Sequence, residues 1–205
     1  MSLVTVSTLR EYLPEIANNT EIDTELGYLL DRVEMSIANY LGFPMIDSNL
    51  SPTLASSLYT VYVDNPKLDD PYCLQLPFKP VTEITSIHAD SSREYSTETL
   101  IDPATYDLEK AAGRVVLKVA TYTRPFSNGK RANKIICTAG YTAGTLPDDL
   151  EHGICVFASM LHRNKTSQGK NSMSTRSGNV TFSPKKMPEE VKEFIYPYRS
   201  PGLIL

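Results

Sequence analysis

The segment from Ile135 to Leu161 constrains the fold more than any other stretch of the chain. It opens on Ile135-Ile136-Cys137-Thr138, small and β-branched residues that suit a half-buried strand. It breaks at Ala139-Gly140-Tyr141-Thr142-Ala143-Gly144, where Gly140 and Gly144 are expected to supply positive φ for a sharp turn. It restarts at Pro147-Asp148-Asp149-Leu150 as a helix. Proline lacks an N–H that the first helical turn does not need. Asp148, Asp149 and Glu151 place negative charge at the positive end of the helix dipole. Leu150, Ile154, Phe157, Ala158 and Leu161 then mark one apolar helical face. Sequence before this segment, back to Leu54, reads mostly as β. Sequence after it, and before Asn49, reads as helix or loop. The segment is therefore expected to join a β half to a helical half and to act as a rigid hinge between them.

The N-terminal helical part begins at Thr8-Leu9-Arg10-Glu11, which matches a capping box ahead of Leu13. Pro14 and Asn18-Asn19 stop that helix early. A second, long helix follows. Ile22, Leu26, Leu29, Leu30, Val33, Ile37 and Leu41 share one face, while Asp31, Arg32, Glu34 and Asn39 fall elsewhere. Asp23 or Thr20 can cap it, and Gly42 with Pro44 ends it. Its expected partner is the Leu150–Leu161 face. The β part alternates over Leu58–Val63, Tyr72–Leu76, Val81–Ala89, Thr105–Leu108, Arg114–Val119 and Lys134–Thr138, with Pro- and Gly-rich turns between. That is an antiparallel pattern. The polar segments 45–56, 90–103 and 123–131 read as loops. Beyond Leu161, residues 164–175 have almost nothing to bury and read as a mobile loop. Residues 177–182 suit a small hairpin or an extended contact. Pro188-Glu189-Glu190-Val191 starts a last short helix with Val191, Phe194 and Ile195 on its apolar side.

Net charge is −4, which carries no global nucleic-acid signature, but the charge is uneven. Residues 1–47 hold eight acids and two bases. Residues 163–187 hold six bases (Arg163, Lys165, Lys170, Arg176, Lys185 and Lys186) and no acid. This basic loop 163–187 is either a solvated loop or a segment that meets phosphate or an acidic partner. The three cysteines, Cys73, Cys137 and Cys155, all lie in apolar patterns and read as buried, reduced thiols. Residues 1–14 hold no apolar run of signal-peptide type, and no run reaches membrane-spanning length. His88, His152 and His162 show no metal-ligand spacing. No nucleophile elbow, P-loop or dinucleotide fingerprint occurs. A phosphate at the Gly140–Gly144 turn would be repelled by Asp148 and Asp149. No catalytic residue, metal site or cofactor is expected. The apolar end, Leu203-Ile204-Leu205 after Pro201-Gly202, suits docking on another surface.

The order and spacing of several pieces resemble the head–tail connector, or head-completion adaptor, family of tailed bacteriophages and gene transfer agents. These pieces are Val6–Leu13 before a helix ending Ile37-Ala38-Asn39-Tyr40-Leu41-Gly42, then Leu76-Pro77-Phe78-Lys79-Pro80-Val81 leading to Ile84-Thr85-Ser86-Ile87. Next come Gly113-Arg114-Val115-Val116-Leu117, Thr138-Ala139-Gly140-Tyr141 before Pro147-Asp148-Asp149-Leu150, and Met187–Val191 running to Pro197-Tyr198-Arg199. The chain departs from the pattern at Arg124-Pro125-Phe126, where a tryptophan is expected, and in the long polar loop after Leu161.

The resemblance implies a non-enzymatic virion protein of the neck, made in the host cytoplasm. It implies a homo-oligomeric ring, a dodecamer, between the portal protein and a stopper or tail-completion protein. Genomic DNA would pass through the lumen without sequence-specific recognition, and no membrane would be involved. The expected fold class is α+β: a small helical bundle from residues 1–53 and 139–205, with an antiparallel β-rich insertion at 54–138. Subunits would pack through the long helix and the insertion. Tyr196, Tyr198, Arg199, Leu203, Ile204 and Leu205 are expected to bind the portal or a neighbouring ring. Lys165, Lys170 and Arg176 are expected on the lumen or at a partner contact. The alternatives are another neck role (stopper or tail completion), a carboxylate-dependent hydrolase, or a DNA-binding protein acting through residues 163–187.

Overall fold

The computed structural model describes residues 2–44, 51–65, 72–118, 126–167, 172–175, 178–181 and 187–199. The expected loop at 45–50, Val119, Arg124-Pro125, Lys170, Arg176, Lys185, Lys186 and the Leu203–Leu205 end lie outside the described residues. The fold is α+β, as the alternation of patterns predicts. Its contacts divide it into two compact units. One comprises Met1–Ile37 and Thr145–Pro197, the other Ala38–Gly144 and Tyr198–Leu205.

The first unit is helical. Helix α1 spans Val6–Glu11, and its cap is Thr5, not Thr8. The Thr8 N–H donates to the Thr5 hydroxyl at 3.1 Å, so Thr8 is the residue being capped. The Thr8-to-Glu11 spacing fits a capping box, but the helix has begun one turn earlier. Helix α2 spans Asp23–Leu41, about 28 Å at the usual rise per residue. Leu26, Leu30, Val33 and Ile37 are fully buried, as the periodicity predicts. Glu34 is also buried, at 7% exposure, although it falls off the apolar stripe. It accepts the backbone N–H groups of Leu3 (2.9 Å) and Val4 (3.1 Å) and the hydroxyl of Ser2. A buried carboxylate is tolerated when donors converge on it. Glu34 thus fastens the N-terminal segment before α1 to α2.

Helix α3 spans Asp148–Arg163, with Pro147 in the capping position and three acids in its first turn. Gly153, Cys155 and Ser159 are buried along with the expected Leu150, Ile154, Phe157 and Ala158. The wider buried surface arises because α3 packs against α1 and against α4, Glu189–Ile195. α4 buries Val191 and Ile195. After α3 the polar stretch does not stay a loop. It forms a 3-10 turn at Asn164–Ser167 and a strand at Ser172–Thr175 that pairs antiparallel with Gly178–Thr181.

Among the described residues, the second unit holds six strands in two antiparallel sheets. β1 (Ser57–Asn65), β6 (Gly129–Ala139) and β3 (Val81–Ala89) form one, in the order β1-β6-β3. β2 (Cys73–Gln75), β5 (Arg114–Leu117) and β4 (Tyr106–Glu109) form the other, in the order β2-β5-β4. β1 lies beside β2 and β3 beside β4, so the sheets close around one core. Phe43, Tyr59 and Phe78 stack at its centre, with Phe43 and Phe78 5.9 Å apart. Burial pushes the Tyr59 phenol up to about 12. β6 starts at Gly129, five residues before the expected Lys134. A register shift between Val63 and Asn65 of β1 lets Gly129 still find a partner.

Gly42, at φ +91°, ends α2, and the Ala38 carbonyl receives both the Gly42 and Phe43 N–H groups. Gly140 adopts φ +106°, as the turn demands. Gly144 does not share this conformation, and the space around it is open. One left-handed residue is sufficient for this turn.

Candidate docking surfaces

The C-terminal aromatic segment starts where α4 runs into a 3-10 turn at Tyr196–Tyr198. Tyr196 is 65% exposed and Phe194 38%. In the first unit the Phe194 and His152 rings pack at right angles with centroids 5.0 Å apart, and the Tyr12 hydroxyl is 2.9 Å from His152 Nδ1. His152 is therefore an aromatic packing residue. In the second unit the Arg199 guanidinium lies 5.4 Å from the Tyr40 ring centroid. Tyr141 is raised well above the usual phenol range, first by burial and then by Tyr198 beside it. Tyr198 and Arg199 are half-buried, so Tyr196 is the member of this set most open to a partner. Leu203, Ile204 and Leu205 lie outside the described residues.

The basic loop is compensated where it is described. Arg163 Nε donates to Glu15 at 2.9 Å, and Lys165 Nζ meets Glu25 at 2.5 Å. Each partner lowers the carboxyl pKa, with the hydrogen bond as the larger cause. The local sequence holds no acid, but residues 140 and more positions away supply them. Lys170 and Arg176 lie outside the described residues.

A third surface was not legible in the sequence. It forms at one end of the β1-β6-β3 sheet, where Tyr62 of β1 stands opposite Lys134 of β6. The Arg131 guanidinium lies over the Tyr62 ring at 4.2 Å, and Lys134 Nζ lies 5.4 Å from the Tyr95 centroid. Tyr62 and Tyr95 are 5.6 Å apart. The Tyr95 hydroxyl donates to the Arg131 carbonyl at 2.5 Å, and the Arg131 N–H donates to Asp64 at 2.7 Å. Arg93, Tyr95 and Arg131 all adopt positive φ, from +52° to +66°. These are sparsely populated conformations for non-glycine residues and persist only where the surroundings hold them.

Asp90 holds this loop. Far from being an exposed loop residue, it is 7% exposed. It accepts the Ser92 hydroxyl (2.6 Å) and the N–H groups of Ser92, Glu94 and Tyr95 (2.8–2.9 Å). These bonds, the Ser92 hydroxyl first, bring its carboxyl down to about 2 from 3.8. A depressed carboxyl pKa stabilises the folded form above the unfolded value, and that support disappears as pH falls through the folded value. The 90–95 loop is therefore expected to keep its order down through pH 3.8 and to release near pH 2. The Glu94 and Tyr95 amide shifts, followed against pH by NMR, check this. A midpoint at the ordinary carboxyl value would contradict it.

Other chemistry is sparse. Burial pushes the Cys137 and Cys155 thiols up to about 12, which makes them poor nucleophiles. Cys73 is half-buried. Among the described residues no group of three or more His, Cys, Asp or Glu is placed to hold a metal. Among the same residues no helix is long and apolar enough to cross a membrane. An open groove of about 490 Å³ is lined by residues 14–19 and Glu21. Its Glu15 is engaged by Arg163.

No family model matches the chain, and no curated protein sequence does either. Solved structures do match. A chain in the neck of a native GTA particle, computed with C12 symmetry, aligns at TM-score 0.53 and 18% identity over 97% of this chain and 90% of that chain. A chain in the neck of an empty GTA particle, computed with C6 symmetry, aligns at TM-score 0.58 and 18% identity, covering 98% and 92%. A chain in the virion of a native gene transfer agent particle aligns at TM-score 0.53 and 16% identity, covering 98% and 94%. At these identities the likeness is one of fold: along nearly its whole length this chain is similar in fold to chains of gene transfer agent necks and virions.

Proposed function

We propose that this chain is a structural virion protein of the neck, a head–tail connector subunit of the adaptor type. In this reading it assembles as a ring beneath the portal, links head to tail and lets DNA pass through its lumen. The observation that carries the reading is the extent of the fold likeness, 97–98% of this chain against 90–94% of the neck and virion chains. A shared domain inside unrelated proteins would align over part of each chain only. The C12 and C6 symmetry of the neck structures supports a cyclic oligomer. The order of sequence pieces from Val6 to Arg199 supports the adaptor role over the stopper or tail-completion role. Electron microscopy of particles carrying a tagged copy tests the reading. A ring of tagged subunits directly under the portal is the expected result. Tag density at the far end of the tail, or none in the particle, would reject it.

The C-terminal segment 196–205 is the proposed contact with the portal or an adjacent ring protein. Tyr196 is open to a partner, and tyrosine carries much of the energy at protein interfaces. Removing residues 196–205 is expected to weaken portal binding by about ten-fold or more. Full-strength binding by the truncated protein in a pull-down titration would reject this contact.

A further inference from the structure

Six of the fourteen described bases are neutralised by carboxylates. Arg10, Arg114, Lys118, Arg163, Lys165 and Lys192 each pair with a carboxylate. The end of the β1-β6-β3 sheet is different. Arg93, Lys130, Arg131 and Lys134 gather there, and none makes an ion pair among the described residues. Two of the acids beside them are otherwise used: Asp90 holds backbone N–H groups of the loop, and Asp64 holds the Arg131 N–H. The cluster is also pre-organised. Tyr62 and Tyr95 carry the Arg131 and Lys134 side chains on their rings. Little ordering is left to oppose binding by such a surface.

The opposite imbalance occurs in the helical unit. Tyr12, His152 and Phe194 pack together and bring the end of α1, the start of α3 and α4 to one place. Those elements carry Glu11, Asp148, Asp149, Glu151, Glu190 and Glu193, none ion-paired among the described residues. A subunit of a closed ring presents two different surfaces to its two neighbours, and they must be complementary. We infer that the Arg93–Lys130–Arg131–Lys134 cluster of one copy docks on the acidic α1–α3–α4 surface of the next copy. Charge complementarity sets the register, and Tyr62 and Tyr95 supply the apolar contact. The inference rests on the ring reading above and adds to it the surfaces that meet.

Charge reversal in the full-length chain tests it. Lys130→Glu with Arg131→Glu alters the basic side, and Glu190→Lys with Glu193→Lys alters the acidic side. Self-association is read by sedimentation velocity at low salt. Each pair alone is expected to weaken association about ten-fold or more, and all four together to restore most of it. The four-fold variant is also the folding control, since it contains every substitution. Single-side variants that associate like the wild type would overturn the contact, as would a combined variant without recovery. So would a wild-type chain that stays monomeric at every concentration. Loss of binding to a short DNA duplex with self-association intact would assign the cluster to phosphates and overturn the second-copy contact. A neck ring still formed by the Lys130→Glu, Arg131→Glu protein would sink this contact alone. Failure of the ring reading would instead be seen with the wild-type protein, as particles without such a ring.

Discussion

Gly140→Ala is expected to destabilise the protein by about 3 kcal/mol or more, because it combines a forbidden backbone conformation with a steric overlap. Gly140 sits at φ +106°, beyond the left-handed pocket that other residues visit. A Cβ there would lie 2.6 Å from the Leu54 carbonyl oxygen and 2.8 Å from that of Ala55. Neither oxygen is free to move. The Leu54 carbonyl accepts the Tyr141 N–H at 2.8 Å, and the Ser56 N–H donates back to Tyr141 at 2.8 Å. The Gly140 N–H is held by Pro80 at 3.1 Å. One residue therefore lets the end of β6, the approach to β1 and the start of β3 cross at a single point. Since a domain of this kind is stable by about 5–15 kcal/mol, the loss is a large fraction of the whole. Gly144→Ala is the control. No atom lies within 4 Å of its Cβ position and its φ is not left-handed, so it is expected to be neutral or stabilising. Urea denaturation of the two variants checks the contrast. Equal midpoints would show that the close approach at Gly140 is not what holds this crossing.

The two glycines also show what periodicity and composition convey and what they omit. Both stand in the same Gly-rich turn, and the sequence treats them alike. Only the crossing chain at Leu54–Ala55 distinguishes them. α2, α3 and the six described strands of the second unit were legible because burial on one face leaves a repeating apolar pattern. Glu34 was not, because its burial depends on backbone donors some thirty residues earlier. The compensation of Arg163 and Lys165 by Glu15 and Glu25 was hidden for the same reason. The Tyr62–Tyr95–Arg131–Lys134 cluster comes from three separate segments and exists only through the β1–β6 register. The C-terminal segment was legible as irregular and aromatic, but the split between exposed Tyr196 and half-buried Tyr198 follows from packing alone.

Gly153→Leu is expected to undock α4 and lower stability by about 2–4 kcal/mol, through overpacking and lost burial. Gly153 is buried in the middle of α3, where glycine is a poor helix former. It is there because α4 crosses at that point. A Cβ would lie 3.1 Å from Ile195 Cγ2, 3.8 Å from Phe194 Cβ and 3.9 Å from Val191 Cγ1. A single methyl group meets the far end of one side chain, which can shift by a few tenths of an ångström. For Gly153→Ala that strain is offset by a gain in helix propensity of about 1 kcal/mol, so it is expected to be near neutral. Leucine adds a branched side chain where Val191 and Ile195 are fully buried, and no such adjustment is available. α4 has only seven residues, too few to persist without its docking face. Hydrogen exchange gives the readout. Amides of 189–195 should lose protection in Gly153→Leu, while those of β1, β3 and β6 keep theirs. Retained protection at 189–195 would show that α4 does not depend on this contact. If the proposed portal contact is right, the same variant also loses portal binding with residues 196–205 still in place, because Tyr196 follows directly on α4. Gly153→Ala should keep it, so the pair separates the position of the segment from its mere presence.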